Sequence, residues 1–376
     1  KFKVNLIQLD KLSSSLLAHF VLLPNVPIVI KILKIIRSMF FVPKIDFNFI
    51  NYKNIFIYSV DRKDSKITID FYKKKYKKKF IDFYMSNRKL KLYISLKNYI
   101  YAYKFTKKIK TTKFTHKIYT FCSIVGGLNF YGYLYKNLNS KKIKIENFLT
   151  YNSSFMYEAI LTVFLREKKI KTNSLQHAFY YKMKRTSYDI INYENPQAEN
   201  LLQWSNYCIN SIKREVPKHT KQVNFGYIHT KNFKSSYNKK SKNIFVPLPR
   251  KIYFEDNIKL IKILEFTEFD QFNILISAHP NDKNKYSFDK KNIKFISEDF
   301  HQAIKKRKYQ FIISFNTSCV FLSPLYNIPP LLFRAKNLEI IEKKFETFGN
   351  KDELINIIKQ NINYKYTSKL RSYFFK

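Results

Sequence analysis

The feature that most constrains the fold is a regular alternation of short apolar runs and amphipathic segments after residue 243. This alternation predicts strands at 243–247, 272–277, 293–296, 311–314 and 330–333. Helices are predicted between the strands, at 256–266, at 299–307 and from Asn316-Thr317-Ser318, and Asn350 with Glu353 predicts a capped final helix. Strands that alternate with helices form a parallel sheet covered on both faces. The C-terminal part is therefore predicted to be a Rossmann-like unit.

The first half of the chain gives less regular signals. Strands are predicted at 2–10, 55–60, 67–71, 118–124 and 222–225, with a turn at Gly126-Gly127, and helices at 153–169 and 197–214. A chain of 376 residues exceeds what one core usually holds. We predict an N-terminal Rossmann-like domain at 1–230, a polar linker at 231–242 and a C-terminal domain at 243–376. The last helix belongs either to the C-terminal domain or packs back on the N-terminal one.

The charge balance has two interpretations. The chain has 70 Lys and Arg and 27 Asp and Glu, which gives a formal net charge of +43. Such a charge suggests nucleic acid or an anionic membrane as partner. An AT-rich genome would raise Lys, Asn, Ile, Phe and Tyr together and give the same excess. With 45% hydrophobic residues the chain forms a packed interior, which excludes a disordered tail. The three cysteines are far apart in sequence, so we expect neither a zinc site nor disulfides, and a reducing cytoplasm.

The most apolar part of the chain lies near its start. Prolines and cations interrupt residues 16–42, so a membrane-spanning helix is not expected. Residues 28–42, IVIKILKIIRSMFFV, still predict a basic apolar helix. It is either a core helix whose cations reach solvent or a helix lying in a membrane interface.

Two polar clusters follow predicted strands of the C-terminal unit. They are Ser277-Ala278-His279-Pro280 and Ser314-Phe315-Asn316-Thr317-Ser318. Ligands of doubly wound sheets bind beyond the carboxyl ends of the strands, and a helix start with hydroxyl groups suits a phosphate. His279 is also able to donate a proton to a departing phosphate. The alternative is a simple turn before proline and a simple helix cap.

Several motifs of other enzyme classes are absent from the sequence. It has no GxGxxG, no GxxxxGK[ST], no GxSxG and no HExxH, which argues against NAD(P) enzymes, P-loop NTPases and several classes of hydrolase. No DxD-like acidic pair follows a strand of the C-terminal unit, so we expect no metal. We also expect no cofactor beyond a donor substrate.

The clusters occur in a longer pattern. ISAHP at 276–280, SFNTS at 314–318 and SPLYNIPPLLF at 323–333 resemble the nucleotide-binding domain of bacterial GT-B glycosyltransferases with an HP motif. That group includes sialyltransferases, Kdo transferases and CDP-glycerol glycerophosphotransferases of surface polysaccharides. Upstream, residues 154–181 resemble the helix, strand and QHG segment of the same enzymes. The resemblance implies an α/β protein of the GT-B fold, with two Rossmann-like domains facing each other across a cleft.

The resemblance also implies roles for individual residues. The donor phosphate would be held by Ser277, His279, Pro280, Asn316, Thr317 and Ser318. His177 would face the cleft as the base or as a group that orients the acceptor, with Gln176 beside it. The sequence departs from the family in having Ala178 where a glycine follows the histidine, and in lacking the acidic-acidic-Gly motif that supplies the base in many sialyltransferases.

Other candidates come from the residues themselves. Imidazole titrates near neutral pH, which favours His177 as base, and Glu158 and Asp10 are the carboxylate alternatives. Arg250 follows the first strand of the C-terminal domain, where it would neutralise a phosphate. Each of these four has a plain alternative as a buried structural group or a surface charge.

Together these observations predict a metal-independent, nucleotide-sugar-dependent glycosyltransferase. It would transfer a sugar, such as sialic acid or a Kdo-like acid from a CMP-linked donor, to a lipo-oligosaccharide or capsular polysaccharide. The expected partners are the donor, a glycan or glycolipid acceptor and an anionic membrane surface, with no specific nucleic acid. The expected location is cytoplasmic, on the inner face of the cell membrane. The alternatives are a glycerophosphotransferase of the same fold and a basic nucleic-acid-binding protein.

Overall fold

The computed structural model describes most of the chain. The described residues are 33, 36–37, 39–59, 63–76, 79–85, 89–108, 114–154, 156–176, 178–183, 196–227, 235–279, 282, 286–360 and 364–375. The chain divides into two compact units. Unit 1 comprises Lys1–His177, Tyr188–Gln203 and Ile212–Asn224, and unit 2 comprises Ala178–Ser187, Trp204–Ser211 and Phe225–Lys376.

Besides helical residues at 33, 36–37 and 39–40, the described residues of unit 1 form eight strands and four α-helices. The strands are β1 Phe41–Pro43, β2 Asn54–Tyr58, β3 Ile81–Tyr84, β4 Leu90–Leu92, β5 Asn147–Thr150, β6 Lys171–Leu175, β7 Asn200–Gln203 and β8 Lys221–Asn224. The helices are α1 Lys63–Tyr76, α2 Leu96–Lys107, α3 Phe114–Leu138 and α4 Met156–Glu167. Six strands form a parallel sheet in the order β3-β2-β5-β6-β7-β8, and β1 pairs with β4 antiparallel.

The core of unit 1 lies between this sheet and helices α3 and α4. β2 and β5 are apolar along almost their whole length, as expected for strands covered on both faces. Aromatic side chains fill much of the space, among them the fully buried Phe130, Phe148 and Phe164. This packing fixes the positions at which β2 and β5 end, where the candidate residue Glu158 lies.

The described residues of unit 2 form a second sheet and six α-helices. The strands are β9 Asn243–Pro247, β10 Asn273–Ser277, β11 Ile293–Phe295, β12 Phe311–Ser314, β13 Pro330–Phe333 and β14 Glu346–Phe348. The helices are α5 Asn206–Ser211, α6 Phe254–Leu264, α7 Phe300–Lys306, α8 Cys319–Leu322, α9 Lys351–Lys359 and α10 Tyr364–Phe375. All six strands are parallel, in the order β11-β10-β9-β12-β13-β14. Numbered within the unit this is 3-2-1-4-5-6, the Rossmann order.

The predicted strands and the predicted cap of the C-terminal part are confirmed. β9 to β13 each lie within one residue of the sequence prediction. The Asn350 side chain accepts a hydrogen bond from the Glu353 backbone N–H at 3.0 Å, as a helix cap should. Strand β14 and helix α10 were not predicted. Residues 235–242 of the expected linker include Ser236, whose N–H bonds the Tyr326 carbonyl at 3.1 Å.

Three predictions for the first part of the chain are wrong. Residues 67–71 lie in helix α1, and residues 118–124 lie in helix α3, which continues through Gly126-Gly127 without a turn. Residues 197–214 contain strand β7 and the short helix α5 instead of one helix. A helical glycine costs about 1 kcal/mol relative to alanine, which the burial of residues 122–130 offsets. The predicted strand at 2–10 lies outside the described residues.

Candidate functional site

The order of strands in unit 2 marks where a ligand would bind. The chain leaves β9 toward β10 on one side and leaves β12 toward β13 on the other, so β9 and β12 flank the point where the strand order reverses. In open α/β sheets the binding crevice opens beyond the carboxyl ends of that pair of strands. The segments that follow them are Leu248–Arg250 and Phe315–Ser318, so the crevice is bordered by two of the segments that the sequence singled out.

Asn316 shapes the segment after β12. Its φ angle of 43° lies in the left-handed region, which asparagine tolerates better than most residues. Its side chain is buried, donates to the Asn337 carbonyl at 2.7 Å and accepts from the Glu339 N–H at 2.8 Å. Since both the nitrogen and the oxygen of the amide are hydrogen-bonded, the Asn316 side chain holds the backbone of the loop at residues 337–339.

Thr317 and Ser318 follow Asn316 and are half-buried. The Thr317 hydroxyl accepts from the Cys319 N–H at 3.4 Å, and the Ser318 hydroxyl accepts from the Phe179 N–H at 3.2 Å. A hydroxyl that accepts a hydrogen bond is also able to donate one, and the Thr317 hydroxyl has the Cys319 sulfur as a second neighbour. The predicted helix start is confirmed, but α8 has only four residues before a 3-10 turn at Ser323–Tyr326.

His279 lies at the end of the neighbouring strand. β10 and β12 each pair with β9, so their ends are two strand spacings apart, about 10 Å. The His279 side chain is half-buried, and its carbonyl accepts from the Asp282 N–H at 2.7 Å. Ser277 before it donates its hydroxyl to the Glu298 carbonyl at 2.8 Å, which joins β10 to the end of β11. Pro280 lies outside the described residues.

Two buried residues of α6 hold the loops around the crevice, and no specific sequence signal pointed to them. Asp256 accepts from the backbone N–H groups of Lys336 and Asn337 at 3.1 and 3.2 Å. It also accepts from the Asn337 amide at 2.9 Å, and the Asn337 carbonyl in turn holds Asn316. The polar start of the predicted helix at Asp256 was the only hint, because the partners are eighty residues away in sequence.

The other α6 residue, Asn257, reaches the opposite side. Its amide donates to the Pro249 carbonyl at 3.3 Å and to the Tyr286 hydroxyl at 3.0 Å. The Tyr286 hydroxyl bonds the carboxylate of Asp282, the residue whose N–H caps the His279 carbonyl. Arg250 follows Pro249, is half-buried and accepts from the Tyr253 N–H through its carbonyl at 2.9 Å. One helix therefore ties together the loops that carry Arg250 and His279.

In unit 1 the equivalent reversal of strand order falls between β2 and β5, and Glu158 lies there. Its carboxylate accepts from the Ser59 N–H at 2.8 Å, from the hydroxyls of Ser59 and Thr150, and from the Asn152 N–H at 3.0 Å. Burial raises the pKa of Glu158, and the four hydrogen bonds partly oppose that rise. With all four lone-pair positions occupied, the carboxylate joins the ends of the two strands.

The remaining acceptor-side candidates are only partly described. Gln176, at the end of β6, is fully buried and donates its N–H to the Leu202 carbonyl at 3.0 Å. His177 and Asp10 lie outside the described residues, so their roles stay predictions. Among the described residues, no group of three or more His, Cys, Asp or Glu side chains is arranged to hold a metal ion.

The comparisons agree with this architecture. Neither a protein-family model nor a curated protein sequence matches the chain. Solved structures do. The glycosyltransferase of kitacinnamycin is 7% identical, with a TM-score of 0.52 over 88% of this chain and 95% of that one. The calicheamicin glycosyltransferase CalG4 is 6% identical, with a TM-score of 0.51 over 85% of this chain and 94% of that one.

A third similar structure is the Methanocaldococcus jannaschii UDP-GlcNAc 2-epimerase in complex with UDP-GlcNAc and UDP. It is 13% identical, with a TM-score of 0.47 over 86% of this chain and 99% of that one. The two glycosyltransferase likenesses show the fold. The chain is an α/β protein of the GT-B fold, with two Rossmann-like units that each contain a six-stranded parallel sheet.

Proposed function

We propose that the chain is a nucleotide-sugar-dependent glycosyltransferase that binds its donor in unit 2. The observation that carries the proposal is the reversal of strand order between β9 and β12, whose ends are followed by Arg250, Thr317 and Ser318, with His279 at the end of the neighbouring strand. These groups are a cation, two hydroxyl donors and an imidazole, which are the partners that a phosphate needs. The GT-B fold and its likeness to two glycosyltransferases support the proposal.

In this proposal unit 2 stabilises the nucleotide as it leaves the sugar. As the glycosidic bond breaks, negative charge grows on the phosphate, and donors fixed in advance lower the barrier. Arg250 would pair with the charge, Thr317 and Ser318 would donate hydrogen bonds, and His279 would donate a hydrogen bond or a proton. The network of Asp256 and Asn257 supplies the fixed geometry. No step in this scheme needs a metal ion.

The donor class comes from the sequence resemblance. The HP segment and the SFNTS segment resemble enzymes that use CMP- and CDP-linked substrates, which favours a CMP-linked sialic acid or Kdo-like acid. A UDP-sugar is the competing donor, since UDP-GlcNAc and UDP are the molecules named with a similar structure. A CDP-glycerol donor would use the same phosphate groups and would make the chain a glycerophosphotransferase.

The acceptor is proposed to bind in unit 1. His177 would act as base or orient the acceptor, with Asp10 as a carboxylate alternative and Gln176 as its neighbour in sequence. Glu158 would hold the ends of β2 and β5 in place. A lipo-oligosaccharide or capsular glycan fits a basic enzyme at the inner face of the cell membrane. No helix in the described part of the chain is long and apolar enough to cross a membrane.

A thermal-shift panel with CMP, CDP, UDP and GDP tests the proposal. We expect one nucleotide to raise the melting temperature, and CMP to do so most. His279→Ala should reduce that stabilisation, whereas His219→Ala, at an exposed histidine of unit 1, should leave it unchanged. If no nucleotide stabilises the protein, the donor site is wrong. If instead single- or double-stranded polynucleotide binds tightly at low salt and nucleotides do not, the nucleic-acid alternative is correct.

A further inference from the structure

Helix α2 of unit 1 presents an apolar surface to solvent. Leu96, Ile100 and Tyr103 are 76%, 49% and 62% exposed. They occur at spacings of four and three residues, so they form one stripe along the helix. Three exposed large apolar side chains in one stripe are unusual for a surface that faces only water.

The opposite side of α2 is firmly packed. Ala102 is fully buried against α3, and the Asn98 amide donates to the Asn129 side chain at 2.8 Å. The Tyr99 hydroxyl and the Asn129 amide both donate to the Met39 carbonyl, at 3.0 and 2.7 Å. The exposed stripe is therefore the outward face of a helix whose inward face is already satisfied.

The apolar surface continues into the chain before α2. Leu92 and Ile94 are 59% and 55% exposed and alternate along an extended segment, so they point the same way. Phe41 of β1 is 38% exposed and pairs directly with Leu92 in the antiparallel register. Opposite residues of such a pair are neighbours on one face. We name the combined surface the α2 face; its apolar members are Phe41, Leu92, Ile94, Leu96, Ile100 and Tyr103.

The charged side chains of the segment that carries most of this surface are all of one sign. Lys104 and Lys107 are exposed and lie four residues after Ile100 and Tyr103, next to the apolar stripe, and Lys108 is exposed just after the helix. Between Asp82 and Glu146 the sequence contains fourteen lysines and arginines and no acidic residue. The α2 face therefore combines aliphatic side chains, tyrosine and lysine without a countercharge from its own segment.

We propose that the α2 face binds the surface of an anionic lipid bilayer. Aliphatic side chains would enter the boundary between headgroups and acyl chains, tyrosine would lie at the level of the headgroups, and the lysines would pair with lipid phosphates. A polynucleotide would use the cations and aromatic rings but has no use for exposed Leu92, Leu96 and Ile100. A second copy of the same face would bring lysines against lysines.

The α2 face would bring unit 1 to a membrane that carries a lipid-linked acceptor. Only the identity of that acceptor rests on the proposed function. The proposed membrane surface also lies mostly outside residues 28–42, for which the sequence left open a core helix or a helix lying in a membrane interface. Of that segment the structure describes residues 33, 36–37 and 39–40 as helical and residues 41–42 as the start of β1.

Vesicle co-sedimentation tests the inference. The full chain should bind vesicles of phosphatidylglycerol and phosphatidylcholine, and should bind vesicles of phosphatidylcholine alone much less. Changing Lys104, Lys107 and Lys108 to Gln should weaken binding about fivefold for each lysine. Changing Leu96 and Ile100 to Gln should weaken it at least about tenfold, since both side chains leave an apolar environment.

Matched controls separate the surface from general effects. Changing Lys239, Lys291 and Lys294 of unit 2 to Gln removes the same charge from exposed positions elsewhere. Changing Phe266 and Ile341 to Gln removes two exposed apolar side chains of unit 2. Both control variants should bind vesicles within about twofold of the unchanged chain. Equal loss in the control and test variants would overturn the assignment.

Other outcomes would also overturn it. Binding to neither kind of vesicle excludes a membrane surface. A dimer that dissociates on the Leu96 and Ile100 changes, measured by light scattering without vesicles, makes the α2 face an interface between two copies. Binding to polynucleotide that needs the lysines but not Leu96 and Ile100 makes it a nucleic-acid surface. Nucleotide binding is measured separately by thermal shift without vesicles, so failure of the donor site and failure of the membrane surface give different results.

Discussion

Asp256 and Asn257 are consecutive residues of α6, and each holds a different loop of the candidate donor site. Side chains of neighbouring helical residues diverge by about 100°. Asp256 therefore reaches the segment that fixes Asn316, while Asn257 reaches Pro249 and Tyr286, which fix the loops of Arg250 and His279. The first turn of a single helix sets the distance between groups that would contact one phosphate.

Asp256→Ala should therefore damage both stability and nucleotide binding. Two backbone N–H groups and one side-chain amide would lose a charged acceptor, at a cost of about 2–4 kcal/mol in the free energy of unfolding. Urea denaturation measures the cost, and calorimetry measures the affinity for the nucleotide that the panel identifies. Leu260→Ala is the control, because it creates a cavity in the same helix, with a cost of about 2–5 kcal/mol, away from the loops. Equal affinity losses in the two variants would mean that Asp256 has no specific role at the site.

The positive φ angle of Asn316 leads to a separate prediction about the stability of its variants. Asn316→Gly and Asn316→Ala lose the same side-chain hydrogen bonds, but alanine resists a φ of 43° and glycine does not. The alanine variant should be less stable than the glycine variant by about 1 kcal/mol in urea denaturation. Asn327, with a φ of 60°, is the reference position and should show a similar gap between its Ala and Gly variants. A gap near zero at Asn316 alone would show that the loop relaxes away from this conformation.

The C-terminal unit could be predicted from the sequence because its strands are short apolar runs separated by helical segments, of which α7 and α9 have side-chain caps at Asp299 and Asn350. β9, with the sequence NIFVP, and β13, with PLLF, contain little besides apolar residues. The positions of Arg250, His279 and Asn316 at strand ends followed directly from that pattern. The partners of Asp256 and Asn257 did not, because their hydrogen bonds join segments far apart in sequence.

The first part of the chain could not be predicted in the same way. α1 and α3 are rich in Ile, Phe and Tyr, which favour strands in isolation. α3 is apolar on nearly all sides between residues 122 and 130, so it lacks the periodicity that identifies a helix. Tertiary packing against α2, α4 and the sheet decides its conformation, and short segments of sequence do not contain that information.

Glu158→Gln should destabilise unit 1. The amide nitrogen of glutamine would face one of the backbone N–H groups that the carboxylate now satisfies, at a cost of about 1–3 kcal/mol. Because burial raises the pKa of Glu158, the folded chain holds this proton more tightly than the unfolded chain. Its contribution to the free energy of unfolding is therefore largest at acidic pH and falls as pH rises through the raised pKa. Subtracting the stability profile of the variant from that of the unchanged chain should reveal this fall, and a flat difference would contradict the raised pKa.

His301 gives the opposite dependence on pH. Burial and the nearby Lys305 lower its pKa to about 4, and its Nδ1 lies 2.9 Å from the Tyr326 hydroxyl. In the unfolded chain the pKa is near 6.5, so between these values the unfolded state binds more protons and stability rises with pH. The full difference is worth about 3 kcal/mol, all of it present above pH 6.5 and lost progressively toward pH 4.

His301→Gln should remove that component, because glutamine keeps a neutral hydrogen-bonding group beside Tyr326 but does not titrate. The free energy of unfolding, measured in urea at a series of pH values between 4 and 7, should then change less with pH than in the unchanged chain. His219→Gln is the matched control, since it removes an exposed histidine, and it should change the pH dependence less than His301→Gln does. If the His301 and His219 variants have the same pH profile as the unchanged chain, then His301 is protonated as readily in the folded state as in water. His301 would then carry a proton near pH 5 and would not be the neutral partner of Tyr326.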